Sequence, residues 1–386
     1  MTARHVPLRL GMVGGGAGAM IGNVHRIAAR MDGHFQLVAG ALSATPSRAM
    51  ASAAQAGIAE DRSYDDYEVM ATAEAARPDG IEAVAICTPN HLHYPVARAF
   101  LRQGIPVICD KPMTATLDEA RELAALVEAT GTLFVLTHNY SAYPQIRLAR
   151  EMVARGDLGR IRLVQVEYAQ DWLTEPSESK QAEWRVDPAR AGAGGAIGDI
   201  GTHAFQLARF VSGLRPDRIA ADLSSFVPGR RLDDNAHVLM RYADGARGML
   251  WCSQVAPGTE NGLRLRIYGD KAGLEWAHEV PETLWFTPFG APRQKLRRAG
   301  PGTTDAVARG SRVPPGHPEG YLEGFGNIYA EAAEAIRARQ EGTPPPTDLA
   351  LPGIVDGLEG LCFIDACIRS QAADGAWVDL MPGPTA

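Results

Sequence analysis

Ile105-Pro106-Val107-Ile108-Cys109-Asp110-Lys111-Pro112 runs apolar through Cys109 and then ends abruptly in an acid, a lysine and a proline. An apolar run of this length reads as a short central strand of a parallel sheet, covered on both faces. In open α/β sheets, ligands bind beyond the carboxyl ends of such strands. Lys111 therefore stands where this architecture places its chemistry. Pro112 fixes the exit and is a candidate for a cis peptide bond that would aim the lysine in one direction. Alone, the stretch reads better as a strand-to-helix loop with a solvated lysine. The flanking sequence decides between the two.

Upstream, Leu8 to Val13 reads as a first strand, followed at once by Gly14-Gly15-Gly16-Ala17-Gly18-Ala19-Met20-Ile21-Gly22. A helix follows, with Ile21, Val24, Ile27, Ala28 and Met31 on one face. Glycines between a strand and a helix let backbone approach a pyrophosphate seated on the positive helix N-terminus. Gly14, Gly16 and Ala19 fit the G-x-G-x-x-G/A fingerprint, and Gly22 is an alternative third position in a longer loop. Phe35 to Ala41 is a second strand that leads to Ser43, where an acid normally binds the ribose 2′-hydroxyl. With a serine there and Arg48 shortly after, no carboxylate repels a 2′-phosphate, so NADP is admitted beside NAD. The competing reading makes Ser43 and Arg48 ordinary surface residues.

The alternation continues. Ile81 to Cys87 is an apolar strand ending in the polar turn Thr88-Pro89-Asn90-His91. Leu92 to Gln103 is a helix stopped by Gly104, and the Lys111 strand follows. Thr116 and Glu119 form a capping box for a helix to Thr130, with Gly131 after it. Leu133 to Thr137 is a further strand, ending in His138-Asn139-Tyr140. These strands, separated mainly by helices, make a doubly wound parallel sheet, a Rossmann-type α/β domain spanning residues 1–140.

Residues 141–386 follow another pattern. After a helix from Gln145 to Arg155 come strands Ile161 to Ala169, Ile219 to Val227, Ala236 to Tyr242, Arg247 to Val255 and Leu263 to Tyr268. Asp244-Gly245 signals a two-residue hairpin. This is an α+β domain with an open, mostly antiparallel sheet, one face of which needs a partner subunit. Pro288 to Gly320 is rich in Gly and Pro and locally basic (Arg293, Lys295, Arg297, Arg298, Arg309, Arg312). It reads as a solvated excursion, with a lid or an oligomer arm as the sharper alternative. Two amphipathic helices, Glu319 to Arg339 and Pro352 to Ser370, close the chain and are candidates to pack back on the first domain.

The totals fit a two-domain soluble protein. Across 386 residues, 46% are hydrophobic and 22% charged, enough for a large core. A net charge of -7 argues against non-specific nucleic-acid binding. No apolar run reaches membrane-spanning length, and the N-terminus lacks a signal-peptide profile. The five cysteines (Cys87, Cys109, Cys252, Cys362, Cys367) sit mostly in apolar runs. That usage suits reduced thiols in a cytoplasm, with no disulfide framework and no metal site.

A second chemical cluster is Gly194-Gly195-Ala196-Ile197-Gly198-Asp199-Ile200-Gly201-Thr202-His203, which opens a helix ending at Gly213. Asp199 and His203, four apart, share a face of the helix start. A carboxylate there is favoured by the helix dipole and can orient a histidine one turn on. A purely structural Asp/His pair is the alternative; the four glycines favour a ligand-facing loop.

With these motifs together, the chain resembles the Gfo/Idh/MocA family of nicotinamide-dependent sugar and polyol oxidoreductases over nearly its whole length. Asp110-Lys111-Pro112 is similar to the family's Glu-Lys-Pro motif with Asp for Glu, and Thr88-Pro89-Asn90-His91 to its strand-four turn. Gly198 to His203 is similar to its D-x-G-x-H segment, and Gly269-Asp270-Lys271-Ala272-Gly273 to a turn late in its C-terminal sheet. The resemblance implies a Rossmann domain, a C-terminal domain with an open sheet, and homodimers or homotetramers packed sheet to sheet. The extended glycine loop and Ser43 depart from the family pattern, which bears on phosphate contacts and on NAD preference.

Residues and resemblance point to one chemistry. Hydride transfer between NAD or NADP and a secondary alcohol or ketone of a sugar, anhydrosugar, inositol or glycoside needs a base for the hydroxyl proton and a group to stabilise the alkoxide. His203 is assigned as acid/base, Lys111 as the positioning cation, and Asp199 as the group that orients substrate or imidazole. Gly14, Gly16, Gly22, Ser43, Arg48, Thr88, Pro89, Asn90, His91, Asp110 and Lys111 are expected at the cofactor. Tyr140, Asp171, Trp172, Arg185, Asp234, Asn235 and His317 are further candidates for the carbohydrate pocket. Two alternatives share the fold. One is a lyase or glycosidase using NAD as a transient oxidant. The other is a non-catalytic NAD(P)-sensing regulator, disfavoured by the intact Lys111, Asp199 and His203.

Overall fold

A computed structural model describes residues 6–176 and 184–381. The chain divides into two compact units, one made of residues 1–139 with 321–358, the other of residues 140–320 with 359–386.

In the first unit, β1 (Leu8–Gly14), β2 (Phe35–Ala41), β3 (Ala83–Cys87), β4 (Val107–Cys109) and β5 (Phe134–Leu136) form a parallel sheet in the order β2-β1-β3-β4-β5. Among the described residues the sheet has five strands, one at each place read from the sequence. At the outer edge of β2 the chain makes only a single bridge, Ser63 to Gly40, before turning into the helix Tyr67–Ala76. Residues 83–87 and 107–109 are buried without alternation, as strands covered on both faces require. The chain order reverses between β1 and β3, and ligands of such sheets bind at that crevice. Local signals set the ends of the helices. Thr116 and Glu119 close a capping box on Leu117–Thr130, and Gly131 ends it at φ 59°.

The helix Tyr321–Gln340 completes this unit by packing on the helix Met20–Met31. His25 is fully buried there, its ring edge-on to Phe325 and Tyr329, with Nδ1 2.8 Å from the Tyr329 hydroxyl. Leu136 N–H donates to the Pro352 carbonyl at 2.9 Å, so the returning segment also borders β5.

The second unit is built on β6 (Ile161–Ala169), β7 (Pro216–Ser224), β8 (Asn235–Tyr242), β9 (Arg247–Ser253), β10 (Gly262–Gly269), β11 (Ala272–Ala277), β12 (Thr283–Pro288), β13 (Gln294–Arg297) and β14 (Val378–Asp379). Their order is β13-β12-β11-β10-β6-β9-β8-β7-β14, antiparallel at every pairing except β6 with β9. Side chains alternate: in β8, Ala236, Val238 and Met240 are buried while His237, Leu239 and Arg241 are exposed. The exposed face carries Leu163, Leu239, Met249 and Tyr268, each more than a third accessible.

Two expectations need correcting here. The β8–β9 hairpin has three loop residues, not two: Tyr242 N–H donates to Ala246 carbonyl, and Gly245 takes φ 89° behind a turn. The basic stretch after Pro288 is not a loose excursion. It supplies edge strand β13, and the buried Arg298 pins the rest by donating to Glu282 and to the carbonyls of Val313, Pro314 and His317. Among the described residues, no helix is long and apolar enough to cross a membrane.

Candidate active site

The glycine loop leaves β1 in left-handed conformations that an L side chain resists, with φ of 74° at Gly14 and 66° at Gly15. A Cβ on Gly14 would lie 2.8 Å from the Cys87 carbonyl, because β1 and β3 run side by side. A Cβ on Gly22 would lie 2.2 Å from Gly15 O, and one on Gly16 would lie 2.6 Å from Leu42 O. The contact of helix on loop thus selects Gly22 as the third glycine, while Ala19 is the extended residue preceding the helix. Neither a side-chain cap nor an acidic residue occupies the first turn of Met20–Met31. Its free N–H groups and positive end suit a phosphate. Two of the supports are Arg26, which donates to Gly15 O at 2.5 Å, and Ser52, whose hydroxyl accepts from Ala17 N–H.

Across the crevice, Thr88 Oγ1 and His91 Nδ1 are buried without a hydrogen-bond partner among the described residues. Buried polar atoms of this kind are rare unless a ligand or water meets them. Together with the loop, they fit a dinucleotide. Asn90 is buried, and Pro89 leads into its short helical turn. Ser43 is half-buried and its hydroxyl accepts from Thr45 N–H, while Arg48 is exposed on the helix Pro46–Ala56.

At the end of β4, the Asp110 carboxylate accepts from Lys111 N–H and from the Thr137 hydroxyl, each at 3.0 Å. Lys111 is half-buried and its bond to Pro112 is cis. His93, absent from the sequence reading, ties this corner together. Its Nδ1 lies 2.7 Å from Pro112 O and its Nε2 2.9 Å from Thr88 O. Burial pulls the imidazole below its ordinary value, against Asp110 and the two carbonyls. A neutral ring donates only one proton, so it bonds one carbonyl at a time.

In the second unit, Ile197–Gly201 forms a single π turn ahead of the helix Thr202–Ser212, and this turn carries Asp199 one turn before His203. Such turns recur at functional sites. Asp199 Oδ2 accepts from Arg185 Nε at 3.2 Å and from Gln254 Nε2 at 2.9 Å. The Arg185 guanidinium lies over the Trp184 ring at 4.3 Å and near Trp172 at 5.9 Å. The His203 ring, 8% exposed, packs edge-on to Tyr140 at 4.9 Å and to Tyr168 at 6.2 Å. Tyr140 and Tyr168 hydroxyls pair at 2.6 Å, and Tyr168 donates to Asn261, which also accepts from Gln170. Trp172 Nε1 donates to Gln170 at 2.9 Å. Burial pushes the Tyr140 phenol up, opposed by its Tyr168 and Asn261 bonds. It therefore stays protonated.

Tyr140, Trp172 and Arg185 thus gather with Asp199 and His203, whereas four expected pocket residues do other work. Asp171 accepts from Gly258 N–H in a turn. Asp234 is fully buried under Phe226 and Val227 N–H and pairs with Arg230 at 3.1 Å. Asn235 faces the exposed side of the sheet, accepting from Trp251 Nε1. There it lines a cleft of about 420 Å³ with Thr174, Phe226 and Ser253. His317 is exposed, its carbonyl held by Arg298. The expected role of the glycines also changes. A Cβ on Gly195 would lie 2.0 Å from Asp233 O, so that glycine admits a neighbouring backbone. Sequence reasoning missed Tyr168, Gln170, Gln254, Asn261 and Asp233. The spacing of Tyr168, Gln170 and Trp172 at every second position running off the end of β6 was the available signal.

The chain matches family models along both halves. Residues 8–138 match one described as "Oxidoreductase family, NAD-binding Rossmann fold", and residues 146–275 match the "GFO/IDH/MocA C-terminal domain". The chain belongs to the Gfo/Idh/MocA family. An oxidoreductase of Sinorhizobium meliloti of known structure is 55% identical, covering 97% of this chain and all of its own, with a TM-score of 0.88. An inositol dehydrogenase homolog of Azotobacter vinelandii, solved with NAD+, is 38% identical over 97% of both chains with a TM-score of 0.93. The same homolog has also been solved with NADH and myo-inositol. Levoglucosan dehydrogenase, solved with NADH and levoglucosan, is 27% identical over 97% of this chain and 99% of its own, with a TM-score of 0.83. Residues 8–138 are accordingly an NAD-binding Rossmann domain.

Proposed function

We propose that the protein is an NAD(P)-dependent dehydrogenase that moves a hydride between the nicotinamide and a secondary alcohol or ketone of a cyclic polyol, anhydrosugar, sugar or glycoside. The observation that carries this reading is the placing of Asp199 on the π turn and His203 one turn on, at the start of the helix Thr202–Ser212, with Asp199 held by Arg185 and Gln254 and His203 packed by two tyrosines. Ligands seen in relatives, myo-inositol and levoglucosan, support the substrate class.

When bound, NAD supplies the hydride acceptor. His203 takes the hydroxyl proton as general base and returns it in the reverse direction. Lys111 stabilises oxygen as it becomes alkoxide, a task for a fixed cation. Asp199 orients the hydroxyl or the imidazole, and the loop from Gly14 to Gly22 holds the pyrophosphate. Tyr140, Trp172 and Arg185 border the substrate. The second unit is read as the substrate-binding and oligomerisation domain, its exposed Leu163, Leu239, Met249 and Tyr268 meeting a second copy in a homodimer or homotetramer. The five buried free cysteines are consistent with a reducing cytoplasm.

The test is a dehydrogenase screen over inositols, anhydrosugars, free sugars and glycosides with NAD and NADP. Stoichiometric reduced cofactor with at least one class is expected. Turnover of a substrate without net reduced cofactor would instead establish the lyase or glycosidase chemistry.

A further inference from the structure

Asp233 takes no part in the chemistry just described, yet it is the acid most closely built into the turn that carries it. Its Oδ1 accepts from Gly195 N–H at 2.7 Å and its Oδ2 from Ile197 N–H at 2.8 Å, while its carbonyl accepts from Ala196 N–H at 2.9 Å. Three consecutive amides entering the π turn are therefore held by one residue some forty positions downstream. The neighbouring residue extends the grip, because Asp234 O accepts from Gln254 N–H, and the Gln254 side chain holds Asp199.

We propose that Asp233 is a positioning residue, whose ionised carboxylate fixes the turn so that Asp199 and His203 are aligned, and whose protonation releases that alignment. The inference rests on the assignment of Asp199 and His203 to the reaction. A carboxylate accepts with both oxygens, whereas a carboxylic acid turns one into a donor facing an N–H that also donates. One of the two clamps is then lost. The groups facing Asp233 are Asp234 beside it, itself paired with Arg230, Cys252 from β9, and Cys367 from the helix Ile354–Ala372. Burial keeps both thiols neutral. Asp199, paired with Arg185, lies on the turn itself. Burial pushes Asp233 up to about 6, opposed by the Ile197 and Gly195 amides and reinforced by Asp234.

The experiment compares wild type, Asp233→Asn and Asp233→Ser in two ways. The first is the pH profile of kcat on the substrate identified by the screen. The second needs no substrate: the ring-proton resonances of His203, assigned by their loss in His203→Asn, report its position against Tyr140 and Tyr168. Expected in wild type is a rise of kcat through pH 6, with a matching step in the His203 resonance. Asp233→Asn should hold kcat about a hundredfold low at pH 8, leave NAD affinity unchanged and remove the step. Asp233→Ser, a neutral acceptor suited to a helix start, should recover part of the rate. A folded Asp233→Asn with the wild-type profile and an unmoved His203 resonance overturns the proposal. If that variant does not fold, a wild-type His203 resonance without the step overturns it equally. Absence of turnover on every polyol would remove the functional assignment, while the resonance comparison would still decide the alignment.

Discussion

Replacing Gly22 by alanine adds one carbon at the point where the helix Met20–Met31 presses on the glycine loop. That carbon would sit 2.2 Å from Gly15 O and 2.3 Å from Gly15 Cα, where ordinary contact begins at 3.4 Å. Helix and loop must part by about 1 Å, since both obstructing atoms are backbone and neither can rotate away; overpacking of this kind costs about 1–3 kcal/mol. The larger effect falls on binding, because the same movement displaces the N–H groups aimed at the pyrophosphate. Misplacing oriented groups by about 1 Å costs up to a hundredfold, so NADH affinity should fall between tenfold and a hundredfold. The control is Gly18→Ala. Gly18 has φ 80° with nothing within 4 Å of a Cβ, leaving only left-handed strain of about 1–2 kcal/mol. The assay is NADH fluorescence titration alongside a thermal melt for each variant. A Gly22→Ala protein that binds NADH as wild type does would refute the packing argument for the third glycine.

Lys111→Met should lower kcat about a hundredfold, as loss of an oxyanion contact does, with little change in NAD affinity; a steady-state rate near wild type would remove Lys111 from the site. NADP should bind, since position 43 offers a hydroxyl and Arg48 is near, and a titration that detects NAD alone would rule this out. His93 has a folded-state pKa below its unfolded value. It therefore adds stability fully present above the unfolded value and lost as pH falls from about 6.5 toward the folded value. Melts of His93→Gln should show a shallower acid-side loss than wild type, and parallel pH curves would contradict that sign. Light scattering should give a multiple of the 41.3 kDa chain, and a charge at Met249 or Leu239 should lower it; a clean monomer would count against the sheet face as an interface.

The first unit was largely legible because its signals are local. Glycines, a capping box and unbroken apolar runs act within a few residues of where they stand, and the strands fell where these placed them. The two-way choice of third glycine was not local: it turned on Gly15 and Gly22 meeting across a turn. In the second unit, β11 to β13 went unread because they are short, and the edge strand Gln294 to Arg297 has no buried position to give an apolar signature. Asp233 and Asp234 are adjacent acids with opposite assignments, one clamping the turn before Asp199, the other buried against Arg230. Only the fold separates them. Arg298 looked like one of six basic loop residues until its burial among three carbonyls and Glu282 became visible.

The return of residues 321–358 to the first unit sets an order of events during synthesis. Domains ordinarily fold as they emerge from the ribosome, the N-terminal one first. Here the sheet from β1 to β5 can form early, but its flank stays unfinished. His25 and Phe35 wait for the aromatic rings of Phe325 and Tyr329, and Leu136 N–H waits for Pro352. All of residues 140–320 must leave the ribosome in the meantime. The nucleotide-binding half of this protein is thus the first to be made and among the last to be finished.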